Sequence, residues 1–194
     1  MRKSLQGFWL IAATFVATAT PLSARAQDED QSPQIRGLTR IDTTVKLDRG
    51  GAVDLSLISG KIRVTGWDRS DVKISASIES GRLEFEANSS RVRLSVDNDE
   101  SYGGRRRGRN NVGEARYDVS VPRGVRLILE AVSGDIIASG SQGEIEATSV
   151  SGDVTVSDGV GSVSAEAVSG SVTVARVKGG LRTETVSGDL RAED

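Results

Sequence analysis

Seven glycines, Gly134, Gly143, Gly152, Gly161, Gly170, Gly179 and Gly188, stand at an unbroken spacing of nine. No other feature of this chain restricts its fold so strongly. Two positions after each comes an aliphatic residue: Ile136, Ile145, Val154, Val163, Val172, Leu181 and Leu190. Four positions after each comes a small or β-branched one: Ala138, Ala147, Val156, Ala165, Val174, Thr183 and Ala192. The residues between them, such as Thr155, Ser164 and Thr173, are mostly polar. Alternation of period two predicts a short strand with one buried face in every unit. Each glycine would supply the permissive backbone of a corner. Val, Thr, Ser and Gly dominate the units, so no helix is expected.

A second period lies over the first. Val132-Ser133-Gly134-Asp135, Val150-Ser151-Gly152-Asp153, Val168-Ser169-Gly170-Ser171 and Val186-Ser187-Gly188-Asp189 recur every 18 residues. Antiparallel hairpins need no identity at every second strand. Stacking of residue i on residue i + 18 produces it directly. The expected fold is therefore all-β, a flattened β-solenoid (β-helix) with about 18 residues and two short strands per coil, the coils stacked about 4.8 Å apart. In this reading a Val ladder, Val168 among it, lies inside, a Ser ladder lines the corner, and Ser164 points outward.

The rest of the chain sets the organisation. Arg2 and Lys3 precede the apolar run Phe8–Ala17, and Ala24-Arg25-Ala26 fits a small-x-small cleavage pattern. Residues 1–26 read as a cleaved signal peptide, too short in apolar length to span a bilayer. The protein is then exported, to the periplasm, the cell surface or beyond. No later run would make a transmembrane span. Residues 27–42, rich in acidic and polar side chains, read as a flexible leader. One domain, 43–194, follows: irregular over 43–131, with a mobile loop at 97–114, and regular over 132–194. The irregular part carries a looser version of the repeat, with Gly51-Ala52-Val53-Asp54-Leu55 nine residues before Gly60-Lys61-Ile62-Arg63-Val64.

The run from Tyr117 through Val121-Pro122-Arg123-Gly124-Val125 into Val132-Ser133-Gly134-Asp135-Ile136 resembles the bacterial "putative adhesin" β-strand-repeat family, a domain of unknown function. Ser59-Gly60-Lys61-Ile62-Arg63-Val64-Thr65-Gly66-Trp67-Asp68 is similar to that family's opening module. The resemblance covers most of residues 43–194. It implies an exported cell-envelope solenoid with an adhesin-like scaffolding or interaction role. It brings no catalytic residues with it.

Composition narrows the chemistry further. With no Cys and no His, thiolate metal sites, disulfides, Cys nucleophiles and the commonest general base are all excluded. Twenty-five basic and 27 acidic side chains nearly cancel, and aromatics make up 4%. Neither a nucleic-acid partner nor a cofactor is expected. Asp135, Asp153 and Asp189 share one repeat position, broken by Ser171. They read as acceptors of corner N–H groups rather than a calcium column, because the second Gly and the Asp of calcium-binding nonapeptides are missing.

Two binding candidates remain. Arg105, Arg106, Arg107 and Arg109 form the densest cationic cluster, suited to anionic glycan or phosphate through the guanidinium fork. Trp67 fills or caps the core, with sugar stacking as its functional alternative. A polysaccharide-degrading enzyme is the least favoured class, since minimal coils enclose no pocket that would shift a pKa. The last coil, Gly188 to Asp194, shows no cap within this sequence, and three outcomes are open: a further C-terminal segment, end-to-end self-association, or partner binding by strand addition. Strand addition by a partner protein at this open C-terminal end, self-association, and contact with envelope polysaccharide are the expected modes of interaction.

Overall fold

A computed structural model describes residues 34–97 and 112–193. Fourteen strands follow one another: β1 (Gln34–Leu38), β2 (Arg40–Lys46), β3 (Ala52–Trp67), β4 (Asp71–Ile78), β5 (Arg82–Ala87), β6 (Arg91–Asp97), β7 (Ala115–Pro122), β8 (Arg126–Ser139), β9 (Ile145–Ser151), β10 (Val154–Ser157), β11 (Val163–Ser169), β12 (Val172–Ala175), β13 (Leu181–Ser187) and β14 (Leu190–Glu193). All belong to one large open sheet, and no helix occurs among the described residues.

Two long strands organise that sheet. The first half of β3 pairs in parallel with β6 and with the first half of β8. The second half of β3 pairs in parallel with β7 and with the second half of β8. Two ladders diverge from this shared pair: β8-β9-β11-β13 and β8-β10-β12-β14. Every step in both is parallel and offset by 18 residues. Leu127 pairs Ile145, Ile145 pairs Val163, and Val163 pairs Leu181. Ile136 pairs Val154, Val154 pairs Val172, and Val172 pairs Leu190. The register read from the repeated tetrapeptide is the register found.

Burial follows the columns. Leu127, Leu129, Ile136, Ala138, Ala147, Val154, Val156, Ala165 and Val172 are fully buried. Each large aliphatic of this kind stabilises the fold by about 1.5–3 kcal/mol. Ser149 occupies a core position as well, and its hydroxyl donates to the Gly134 carbonyl at 3.0 Å. Thr185 makes the corresponding bond to Gly170 at 3.1 Å.

Four sequence expectations need correction. Val132, Val150, Val168 and Val186 are 49, 44, 45 and 76% exposed, so the Val ladder lies outside. The cause is the corner. In β8, Ala131 faces in, Val132 and Ser133 both face out, and Gly134 faces in again. Two successive outward residues reverse the alternation, so counting back from Ile136 puts Val132 on the wrong side. The irregular half, secondly, is not a looser set of parallel repeats. β1-β5-β6 and β2-β4-β7 are antiparallel, while Ala52–Leu55 and Gly60–Val64 lie on one continuous strand, β3, with Gly51 just before it. Thirdly, β1 and the start of β2 occupy part of the stretch read as a leader; Ile41 is buried against the core. An edge strand with one open face tolerates that polarity. Lastly, the repeat glycines serve mainly close approach. A Cβ on Gly170 would run into the Gly152 carbonyl, and one on Gly161 into that of Gly143. Of the seven, Gly152 and Gly188 also have positive φ (157° each), and a second column with positive φ is Gly140 (71°), Asp158 (56°) and Arg176 (52°).

Most of the loop expected at 97–114 lies outside the described residues. Its final part is tied down, for Gly113 N–H donates to the Ser80 carbonyl at 2.8 Å and Glu79 N–H to that of Glu114 at 3.1 Å.

Candidate functional site

The corner after the first ladder repeats its chemistry in every coil. Val and Ser project outward, Gly packs beneath the preceding carbonyl, and an Asp or Ser follows. Asp153 N–H donates to Asp135 Oδ1 at 3.3 Å, and Ser171 N–H to Asp153 Oδ1 at 2.8 Å. Each carboxylate therefore clasps the next coil's amide, a backbone-satisfying task in which Ser171 takes part as donor. Asp135 also pairs with Lys61 at 3.2 Å. Among the described residues no three His, Cys, Asp or Glu are placed to hold a metal ion together.

A shallow groove of about 540 Å³ runs beside this corner. Ser59, Lys61 and Arg63 line it from β3, Arg116 and Asp118 from β7, and Ser133, Asp135 and Ser151 from the stacked corners. Arg63 and Asp118 lie 3.5 Å apart, both more than half exposed. Hydroxyls, cations and carboxylates thus mix on an open floor. Such a surface can hydrogen-bond a hydroxylated or charged ligand. A second, smaller groove of about 370 Å³ is more apolar, with Leu57, Ile58, Val96, Ala131, Val132 and Val150 in its wall.

Arg105, Arg106, Arg107 and Arg109 lie outside the described residues. Trp67 ends β3, away from the polar groove. Its ring N–H donates to the Asp71 carbonyl at 2.8 Å, and the Arg69 guanidinium sits 5.0 Å from the ring centroid. These contacts close the turn between β3 and β4, so the ring is already engaged there.

Two features escaped the sequence. Asp158 and Arg176, one coil apart and both in the left-handed region, form a two-point ion pair at 2.7 and 2.9 Å. The pair lowers the Asp158 pKa, chiefly through the Arg176 hydrogen bond. Their 18-residue spacing was a usable signal. The other is the outward Val column, hidden by the parity change at the corner.

Neither a family model nor a curated protein matches the sequence. Solved structures do. A "putative cell adhesion protein" from Clostridium sporogenes is 12% identical, and the match covers 79% of this chain and 99% of that one with a TM-score of 0.54. A "putative adhesin" from Bacteroides fragilis is 14% identical, covering 84% and 98%, with a TM-score of 0.26. A "putative lipid binding protein" from Parabacteroides distasonis is 12% identical, covering 80% and 97%, with a TM-score of 0.28. The last two superpose too loosely to carry an argument. At 12% identity the first bears on architecture alone: this all-β chain has the fold of that clostridial protein.

Proposed function

We propose that this chain is a non-catalytic, exported cell-envelope module of the adhesin type, folded as a flattened β-solenoid whose stacked corners and faces make its contacts. The observation that carries the reading is the 18-residue register in both ladders. It builds a stiff stack that repeats the same outward groups coil after coil, suited to multivalent contact with an extended surface. The likeness to a protein named for cell adhesion supports it. Export rests on residues 1–26, and the open mixed-charge groove supports a polar envelope component as ligand.

The second reading is an anionic-glycan-binding module acting through Arg105, Arg106, Arg107 and Arg109, favoured by four arginines within five positions. One experiment addresses both. The purified chain is passed over immobilised neutral and acidic envelope polysaccharides, beside a variant with all four arginines replaced by Ser. Retention of both proteins supports contact through the stack. Loss of acidic-glycan retention in the variant alone assigns binding to the arginines. No retention of either protein, or release of cleaved glycan, contradicts the proposal.

A further inference from the structure

We propose that the outward column of Val132, Val150 and Val168 seats an extended β-1,4-linked glycan carrying free amines, laid along the stack. Contact of this kind presupposes the adhesive reading above and names its ligand class.

Ala131 pairs Ser149, Ser149 pairs Ala167, and Ser151 pairs Ser169. Val132, Val150 and Val168 therefore stand one strand separation apart, about 4.8 Å. Their strands, β8, β9 and β11, are each paired on both sides, so the exposure belongs to the corner itself. The smaller groove follows this column, with Val96 and Ile58 at one end and Thr148 and Glu130 along its side. Ser133, Ser151 and Ser169, all exposed, run beside the valines. An apolar strip and a hydroxyl strip thus lie together, matching the face and the edge of a sugar ring.

Spacing and charge select the occupant. In an extended peptide, side chains on one face recur about every 6.6 Å, out of step with the column. Hexose units of an extended β-1,4 chain follow one another at close to the strand separation. Each ring is turned over relative to the last, so a substituent alternates sides. The available carboxylates alternate likewise: Glu130 on one flank beside Val132, Asp153 on the other beside Val150, and Glu166 back on the first beside Val168. Asp135, across from Glu130, is held by Lys61 at 3.2 Å, whereas Glu130 and Asp153 form no ion pair among the described residues. Arg93, whose charge reaches Glu130, is itself held by Asp54 at 2.7 Å. Glu166 meets Arg182 at 3.7 Å, a solvent-exposed pair that yields readily. A second copy of this chain fits poorly, because either two-fold in the plane of contact sets carboxylates against carboxylates.

Calorimetry of the full chain with a soluble β-1,4-glucosamine hexamer and with its N-acetylated counterpart tests this. The amine form should bind on the order of 10-fold more tightly, an advantage that added salt reduces. Val150→Lys should weaken amine-form binding on the order of 10-fold or more. Val160→Lys, at a similarly exposed valine off the column (51% against 44%), should leave it unchanged. Glu130→Gln should weaken it too, and Glu79→Gln, on an exposed turn elsewhere, should not. Equal losses in the two lysine variants would reveal attraction to overall charge and overturn the proposal. Equal affinity for the two hexamers, or tighter binding of an alternating Val-Lys peptide, would also overturn it. Retention on other envelope glycans without amine-form binding would reject this ligand class and leave the adhesive reading standing; no retention on any glycan would reject both.

Discussion

Val168 and Val172 are four residues apart, yet their surroundings are opposite. Val168 stands outside the corner, while Val172 is sealed in the core column between Val154 and Leu190. A carboxylate in place of Val172 would be buried without a partner. Val172→Asp should lower stability by about 3 kcal/mol or more. Val168→Asp should change it by no more than about 0.5 kcal/mol, the usual range for a surface substitution. Urea midpoints of the two variants measure the difference. Equal effects would mean the inside and outside of the corner have been misassigned. Sequence patterning made the interior positions from Ile136 to Val174 legible, because alternation within a strand is reliable. It failed at Val168, since nothing in the Val-Ser-Gly spacing reveals that a corner spends two residues facing out.

Among the elements, β7 joins the antiparallel half to the stack, and Tyr117 is its anchor. The side chain is 1% exposed, and its hydroxyl donates to the Ser56 carbonyl on β3 at 3.2 Å. Burial pushes the phenol pKa well above its ordinary value. The unfolded chain releases this proton near pH 10 while the folded chain holds it. The contribution is thus fully present below about pH 10 and is lost as pH rises from there toward the folded value. Denaturant midpoints at about pH 8 and about pH 11 should fall further for the parent chain than for Tyr117→Phe. Equal falls would show that Tyr117 is not sealed. The elements of this half were hard to read, because period-two alternation is the same for parallel and antiparallel pairing. Val72-Lys73-Ile74 and Leu83-Glu84-Phe85 gave strands but no partners; only an 18-residue identity discloses direction, and it is missing before Val132. For the binding candidates, composition named Trp67 without showing that Asp71 and Arg69 already engage its ring.

For the whole molecule, one buried cluster runs from the antiparallel half through both parallel ladders. Along the ladders each strand pairs with the one 18 residues before it, glycine columns let the corners approach, and aspartates clasp successive amides. Such a stack derives its stability from contacts between neighbouring repeats. Everything rests on residues 18 apart being neighbours in the same direction. The chain has no Cys, so engineered pairs report that register without interference. Thr155 and Thr173 are paired on adjacent parallel strands, within the about 4.4–6.8 Å Cα separation a disulfide needs. Mild oxidation of the Thr155→Cys/Thr173→Cys protein, followed by mass mapping, should give a near-complete intramolecular link, with Thr155→Cys/Ser164→Cys remaining reduced. A link between positions 155 and 164, and none between 155 and 173, would contradict the account.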